Sequence, residues 1–297
     1  MSLFDRLVDE ALGNVDELAP LRMVVEKELL HHDIMLALSS AGLLAKLTFI
    51  GGTCLRSCYG SSRLSEDLDF TGGADFSREQ LKDLAYVLVE TLLGKYGLEV
   101  TVSEPCKETG NVDTWKLKIQ TRPQRSGMPA QRINIDVCAI PSYLPQPAML
   151  LNPYGVDMGT NGLILNVQAR EEIYVDKVVA FALRANRIKN RDLWDLLWLR
   201  QQGVAAKWLL LKHKLADHRC TPDEFLAAFD ERTALLTRDE VAADFRQEMK
   251  RFLPIRLVQG TVNEPAFWSV LVRHLHELND QVQKTLAAPQ SEPGFAM

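Results

Sequence analysis

Two aspartates two residues apart set the chemistry to look for in this chain. They stand in Arg63-Leu64-Ser65-Glu66-Asp67-Leu68-Asp69-Phe70. Side chains alternate along a strand, so Asp67 and Asp69 share one face while Leu68 and Phe70 take the other. At a strand rise of ~3.3 Å per residue their Cα atoms lie about 6.6 Å apart, close enough to converge on one Mg²⁺ or to bracket a pair of ions. With no cation between them, two such charges about 5 Å apart repel by roughly 3 kcal/mol at an effective dielectric near 20. A protein that keeps them adjacent supplies a counter-charge or shifts a pKa. Asp-x-Asp alone is common and reads equally as a solvated strand edge.

Two further stretches point the same way. In Arg132-Ile133-Asn134-Ile135-Asp136-Val137-Cys138 the apolar residues Ile133, Ile135 and Val137 fill one face, which leaves Asp136 and Asn134 on the other. A carboxylate in the middle of such a strand is costly unless exposed or liganded. Upstream, Ile50-Gly51-Gly52-Thr53 reads as a strand ending in a two-glycine turn before a helix. Amides exposed at such a junction suit a triphosphate, and glycine permits close approach. Together these features predict metal-assisted phosphoryl transfer with two ions.

The elements that must position these residues are legible in part. Val24, Val25, Leu29, Leu30, Ile34, Met35 and Leu38 recur at helical spacing, which predicts a long amphipathic helix over 21–44. Strands are expected at 47–50, 64–71, 98–103, 114–121, 131–139 and 163–167, with a proline-rich connection at 141–153. A helix over 77–95 opens on Ser77, with Gln80 as its capping-box partner. After residue 168 the pattern is helical: 170–187, 190–201, 205–217, 222–234, 238–252 and 264–287, before a frayed tail at 290–297. The fold class is therefore α+β, with a mixed sheet and flanking helices in residues 1–167 and a helical bundle in 168–297.

The Gly-Gly-Thr-x-Leu-Arg run of residues 51–56, the strand Ser65 to Phe70 and the later Asp136 strand together resemble the DNA-polymerase-β-like nucleotidyltransferase superfamily. Within it the fuller match is to the AbiEii/AbiGii nucleotidyltransferase toxins, whose later motifs resemble Glu171-Glu172-Ile173-Tyr174-Val175-Asp176-Lys177 and Arg191-Asp192-Leu193-Trp194-Asp195. The resemblance covers about residues 45–200. Residues 201–297 show no further motif. The spacing from Gly-Thr to the aspartates is longer than in the minimal polymerase-like enzymes and suits the toxins. The resemblance implies that Asp67, Asp69 and Asp136 bind two Mg²⁺ ions, with a nucleoside triphosphate as substrate. It places Gly51, Gly52, Thr53, Arg56, Ser65 and Lys177 on the nucleotide and makes Asp192 a catalytic or site-organising carboxylate. It further implies transfer to the 3′ acceptor end of tRNA, a block on translation, a cognate antitoxin, and in some members defence against phage.

Charge bears on that substrate. The 297 residues carry 34 Lys and Arg against 39 Asp and Glu, net −5. Eight acids and three bases fall in residues 1–45, which accounts for all of it and leaves the rest neutral. A generic cationic coat for nucleic acid is excluded, whereas a local groove is not. Lys107, Lys116, Lys118, Arg122, Arg125 and Arg132 face only Glu108 and Asp113 in residues 107–135, and Arg184, Arg187, Lys189 and Arg191 form a second run. Either run also reads as a solvated face. Lys177 sits in a stripe with Ile173, Phe181 and Arg184, and Arg191 can reach Asp195 one turn on. Arg56 and Arg63 can offset a triphosphate or pair with Glu66 and other local acids. Trp115, Trp194 and Trp198 are expected in the core.

Five cysteines, an odd number without C-x-x-C spacing, argue against a disulfide framework or zinc site and for a reducing cytoplasm. The six histidines lack the spacing of a ligand set. No signal peptide and no membrane-length apolar run is expected. Alternatives are the same chemistry on a protein hydroxyl or small molecule, or an inactive nucleotide-binding interaction module whose acidic N-terminal arm is a partner surface.

Overall fold

The computed structural model describes residues 2–106, 110–122, 129–185 and 187–288. Two compact units divide the chain, one of residues 1–169 and 249–260, the other of 170–248 and 261–297. The return of 249–260 to the first unit has no counterpart in the two-part division read from the sequence.

The first unit is built on a seven-stranded mixed sheet of order β3-β4-β5-β2-β1-β7-β6. Its strands are β1 (Thr48–Ile50), β2 (Leu68–Thr71), β3 (Val100–Ser103), β4 (Val112–Ile119), β5 (Gln131–Cys138), β6 (Pro145–Met149) and β7 (Ile164–Gln168). β2 runs parallel to β5, β1 parallel to β7, and the other neighbours are antiparallel. The helices are α1 (Leu3–Asn14), α2 (Arg22–Ser40), α3 (Gly51–Tyr59) and α4 (Leu84–Tyr96). One face of the sheet is core: Trp115, Leu117, Ile119, Ile133, Ile135 and Val137 are buried, and Phe49 meets its cross-strand partner Phe70 at 5.2 Å between ring centroids.

Four local expectations are corrected. The strand expected over 64–71 is regular only from Leu68, because the preceding backbone bonds to side chains and to a distant segment instead of a neighbouring strand. Ser65 N–H donates to Glu28 and Leu64 N–H to the Phe252 carbonyl. Gly51 and Gly52 are the first residues of α3, not a separate turn. The 77–95 helix splits into a 3₁₀ turn (Arg78–Leu81) and α4, and Ser77 makes no capping bond. Within the proline-rich connection, β6 pairs at the sheet edge, where Pro145 and Pro147 leave no donor missing from an inner ladder.

The largest correction concerns α2. Contacts with α1, α4 and β5 cover it on nearly all sides, so it is a central helix and not an amphipathic one. Its acids are therefore interior. Glu26 pairs with Arg22 and Arg122, Glu28 with Arg56, and Asp33 with Lys95 at 2.5 Å and the Tyr96 hydroxyl at 2.8 Å. An ionised group in such a place needs partners of this kind.

In the second unit, α5 (Arg170–Leu183), α6 (Asn190–Gln201), α7 (Leu211–Asp217), α8 (Pro222–Leu235), α9 (Asp239–Met249) and α11 (Pro265–Ala287) carry the bundle. The short α10 (Ile255–Leu257) belongs to the first unit. α8 opens on a true capping box, Thr221 with Glu224, and Pro222 in its first turn. Phe181, Phe225 and Phe229 meet edge-on, and Phe267 stacks between Trp194 and Phe245. Trp115, Trp194 and Trp198 are all buried. The tail expected at 290–297 lies outside the described residues. Among the described residues no helix is long and apolar enough to cross a membrane.

Candidate active site

Register brings two of the three predicted carboxylates side by side. Asp69 on β2 is the direct partner of Asp136 on β5. Adjacent strands lie about 4.8 Å apart, and aligned residues point to the same face. Asp67 ends the loop before β2, and its Oδ1 accepts the Asn134 N–H at 3.0 Å. All three are half-buried, while Leu68, Phe70, Ile135 and Val137 between them are buried. The alternation read from the sequence holds although Asp67 lies outside the strand.

Gly51 is required twice over. Its φ of +76° lies in the left-handed region, and a Cβ there would stand 2.9 Å from Asp69 Oδ2. The start of α3 thus closes directly over the Asp69 carboxylate. Thr53 and Ser65 tie that helix to the aspartate loop. Thr53 Oγ1 donates to the Asp67 carbonyl, which can only accept, so the Ser65 hydroxyl donates to Thr53 at 2.6 Å. Both residues are buried, so their hydroxyls hold the loop.

Beneath the loop, α2 supplies its support. Lys27 pairs with Glu66 at 2.8 Å, and His31 Nε2 donates to the Glu66 carbonyl at 3.1 Å. Glu28 takes the Ser65 N–H at 2.7 Å, the Arg56 Nε–H at 3.0 Å and the Tyr154 hydroxyl. Burial pushes the Tyr154 phenol well up, with Glu28 adding to it, so Tyr154 is the donor in that bond. Burial also lowers the His31 pKa, which keeps the imidazole neutral. Arg56 therefore serves Glu28 and the Ser61 carbonyl, and Glu66 belongs to Lys27. Sequence reading missed Glu28, Lys27 and His31. Their only signal is a string of polar residues inside an apolar helix.

In the second unit Lys177 is buried between Asp192 at 2.5 Å and Asp195 at 2.9 Å, and Arg184 reaches Asp192 at 3.3 Å. Burial alone would raise Asp192; Lys177, with Lys189 and Arg184, outweighs it and holds the carboxyl well below the usual range. Arg191 pairs with Glu248. Two bases of the second cationic run, Arg184 and Arg191, are thus engaged in ion pairs. Of the first run, Arg122 is bound to Glu26, and Lys107, Glu108 and Arg125 lie outside the described residues. Lys116, Lys118 and Arg132 are exposed, and β4–β5 pairing (Lys116 with Asn134, Lys118 with Arg132, Thr114 with Asp136) sets them on the sheet face of Asp69 and Asp136.

The donor set fits Mg²⁺. Among the described residues no three His, Cys, Asp or Glu side chains form a ready-made cage. Mg²⁺ does not require one, since it takes one or two carboxylates and completes its shell with water and phosphate oxygens. Asp69 and Asp136 offer those hard oxygens, with a cradle at Gly51 that any Cβ would fill.

The model of the AbiEii nucleotidyl transferase toxin of type IV toxin–antitoxin systems matches residues 33–273. The chain belongs to the AbiEii toxin family. The match runs beyond the quoted motifs, through most of the helical unit. The fold of this chain is similar to that of MenT4, a nucleotidyltransferase toxin from Mycobacterium tuberculosis H37Rv, which is 18% identical with a TM-score of 0.56 over 97% of this chain and 94% of that one. JHP933 from Helicobacter pylori is 17% identical with a TM-score of 0.47, over 89% and 93%. Among curated proteins none matches. Membership in a type IV family implies a cognate antitoxin.

Proposed function

We propose that this chain is an Mg²⁺-dependent nucleotidyltransferase toxin that moves a nucleotide from a nucleoside triphosphate onto the 3′ acceptor end of tRNA, in the cytoplasm, and so stops translation. The observation that carries the reading is the register pair Asp69–Asp136 under the Cβ-less start of α3. The exposed cations Lys116, Lys118 and Arg132 on the same sheet face favour a polyanionic acceptor over a small molecule.

Asp67, Asp69 and Asp136 would hold two Mg²⁺ ions. When bound, the ions neutralise triphosphate charge and favour ionisation of the attacking hydroxyl. The first amides of α3, at Gly51 and Gly52, hold phosphate oxygens, and the Thr53–Ser65 bond keeps that end of the helix fixed against the aspartate loop. Asp136 takes the proton of the terminal hydroxyl as its oxygen attacks the α-phosphorus in line. The bond to the β-phosphate oxygen breaks and pyrophosphate leaves. The resemblance further assigns Lys177 as a phosphate contact and Asp192 as a catalytic or site-organising carboxylate.

The test is transfer of α-labelled nucleotide to bulk tRNA. Label should enter the RNA with Mg²⁺, vanish with chelator, and fall by at least ~10³-fold in a folded Asp69→Ala protein. Full transfer by that variant would overturn the site. Label in an RNase-resistant product would move the acceptor to a protein or small molecule.

A further inference from the structure

A cavity lies wholly within the helical unit. It holds about 300 Å³, at the small end of ligand sites. Val204, Ala205, Ala206, Leu278 and Trp208 line its apolar side. Its polar side is a chain of three groups. Arg200 Nη1 lies 2.8 Å from His274 Nδ1, and His274 Nε2 lies 2.9 Å from the Tyr174 hydroxyl oxygen.

The directions of these bonds follow from chemistry. A guanidinium only donates, so His274 Nδ1 accepts. Burial, with Arg200 adding to it, lowers the His274 pKa to about 4, so the ring is neutral and its one proton sits on Nε2. That proton faces the Tyr174 oxygen and the Leu196 carbonyl, and both can only accept it. The phenolic O–H of Tyr174 is left as a donor with no acceptor among the described residues, although the side chain is buried and lines the cavity. A buried donor of this kind calls for an acceptor. At the mouth, Arg200 and Glu277 form an ion pair and set a donor fork beside an acceptor carboxylate.

We propose that this cavity is a ligand site in its own right and takes a purine base, with guanine as the best match. The matching ligand is flat, places an acceptor against the Tyr174 hydroxyl, lies along Trp208, and presents adjacent acceptor and donor atoms to Arg200 and Glu277. Guanine carries acceptors at N7 and O6 and donors at its amino group. Pyrimidines present comparable polar edges on a smaller stacking body, so the preference for a purine rests on the area laid along Trp208. The site needs no triphosphate and none of the carboxylates of the first unit.

Titration calorimetry of the full chain with guanosine, which lacks phosphates, tests the assignment. Guanosine should bind more tightly than cytidine by at least ~10-fold, and equally well in Asp69→Ala. Tyr174→Phe should weaken it about tenfold, as loss of one buried hydrogen bond does. Ala206→Trp, which fills the cavity from its rim, should abolish it. Absence of guanosine binding would leave the hydroxyl to an ordered water and overturn the proposal. So would equal binding of the two nucleosides, or undiminished binding in a folded Ala206→Trp protein.

Discussion

The buried carboxylates of the helical unit and the three half-buried aspartates of the sheet unit sit in different surroundings. In the helical unit Asp192, Asp195 and Glu172 are almost fully buried, and each is met by a full positive charge, Lys177 for the first two and Lys214 for Glu172. In the sheet unit Asp67, Asp69 and Asp136 are half-buried, and Asp67 is oriented by a backbone N–H, a neutral dipole. An interior carboxylate must be neutralised within the fold. A half-buried one keeps part of its surface toward solvent. Residue type alone does not separate the two cases; burial and partner do. Removing a charge should therefore cost stability at the Glu172–Lys214 pair and activity at Asp69 or Asp136.

The contrast breaks most sharply at Lys214. It lies 2.5 Å from Glu172 and 3.0 Å from Asp176, and these acids raise its pKa despite burial, which alone would lower it. Lys214→Met strips both carboxylates of that ammonium and should cost roughly 3–5 kcal/mol of unfolding free energy. Asp136→Asn should change stability by no more than about 1 kcal/mol while removing transfer. Urea melts of the two proteins decide it, and equal losses would erase the distinction between the units.

Gly51→Ala probes the sheet unit alone. The new Cβ meets the Asp69 carboxylate and the residue must hold a positive φ, a strain of about 1–2 kcal/mol. Nucleotide transfer should fall further than that strain predicts, because relief displaces either the helix start or Asp69. Gly73→Ala shares the positive φ but has open space around it, and supplies the control. If both variants lose activity alike, close approach at Gly51 is not what matters.

What was legible in the sequence divides along the same line. The alternations at Leu68–Phe70 and Ile133–Val137 survive into the structure because a strand's faces depend only on parity, so the Asp69 and Asp136 face could be read directly. Their pairing in register could not, since it depends on β2 lying parallel to a strand 67 positions on. α2 misled for a similar reason. Its apolar spacing gave the helix but not its surroundings, and the partners of Glu26, Glu28 and Asp33 come from Arg122, Arg56 and Lys95, far along the chain. These three acids, counted with a surface arm, are internal, and one of them, Glu28, holds the aspartate loop through the Ser65 N–H. β6 was hidden by its own prolines, which are tolerable only at an edge that local sequence does not reveal.

The smallest effect compares one histidine from each unit. His32, bonded to the Thr160 hydroxyl at 2.8 Å, and His274 both have pKa values lowered from 6.5 to about 4, chiefly by burial. Between those pH values the unfolded chain binds protons that the folded chain refuses. The stability from each histidine is therefore complete above about pH 6.5 and is lost as the pH falls toward 4. Asp192, held low by Lys177, adds its own loss only at lower pH, below the ordinary carboxylate range. Urea midpoints should fall steadily from pH 7 to pH 4.5. His32→Gln should flatten that slope for the sheet unit and His274→Gln for the helical one, so two separate transitions would each lose their pH dependence in one variant only. A wild-type midpoint constant over this range would mean that neither ring is kept neutral by the fold.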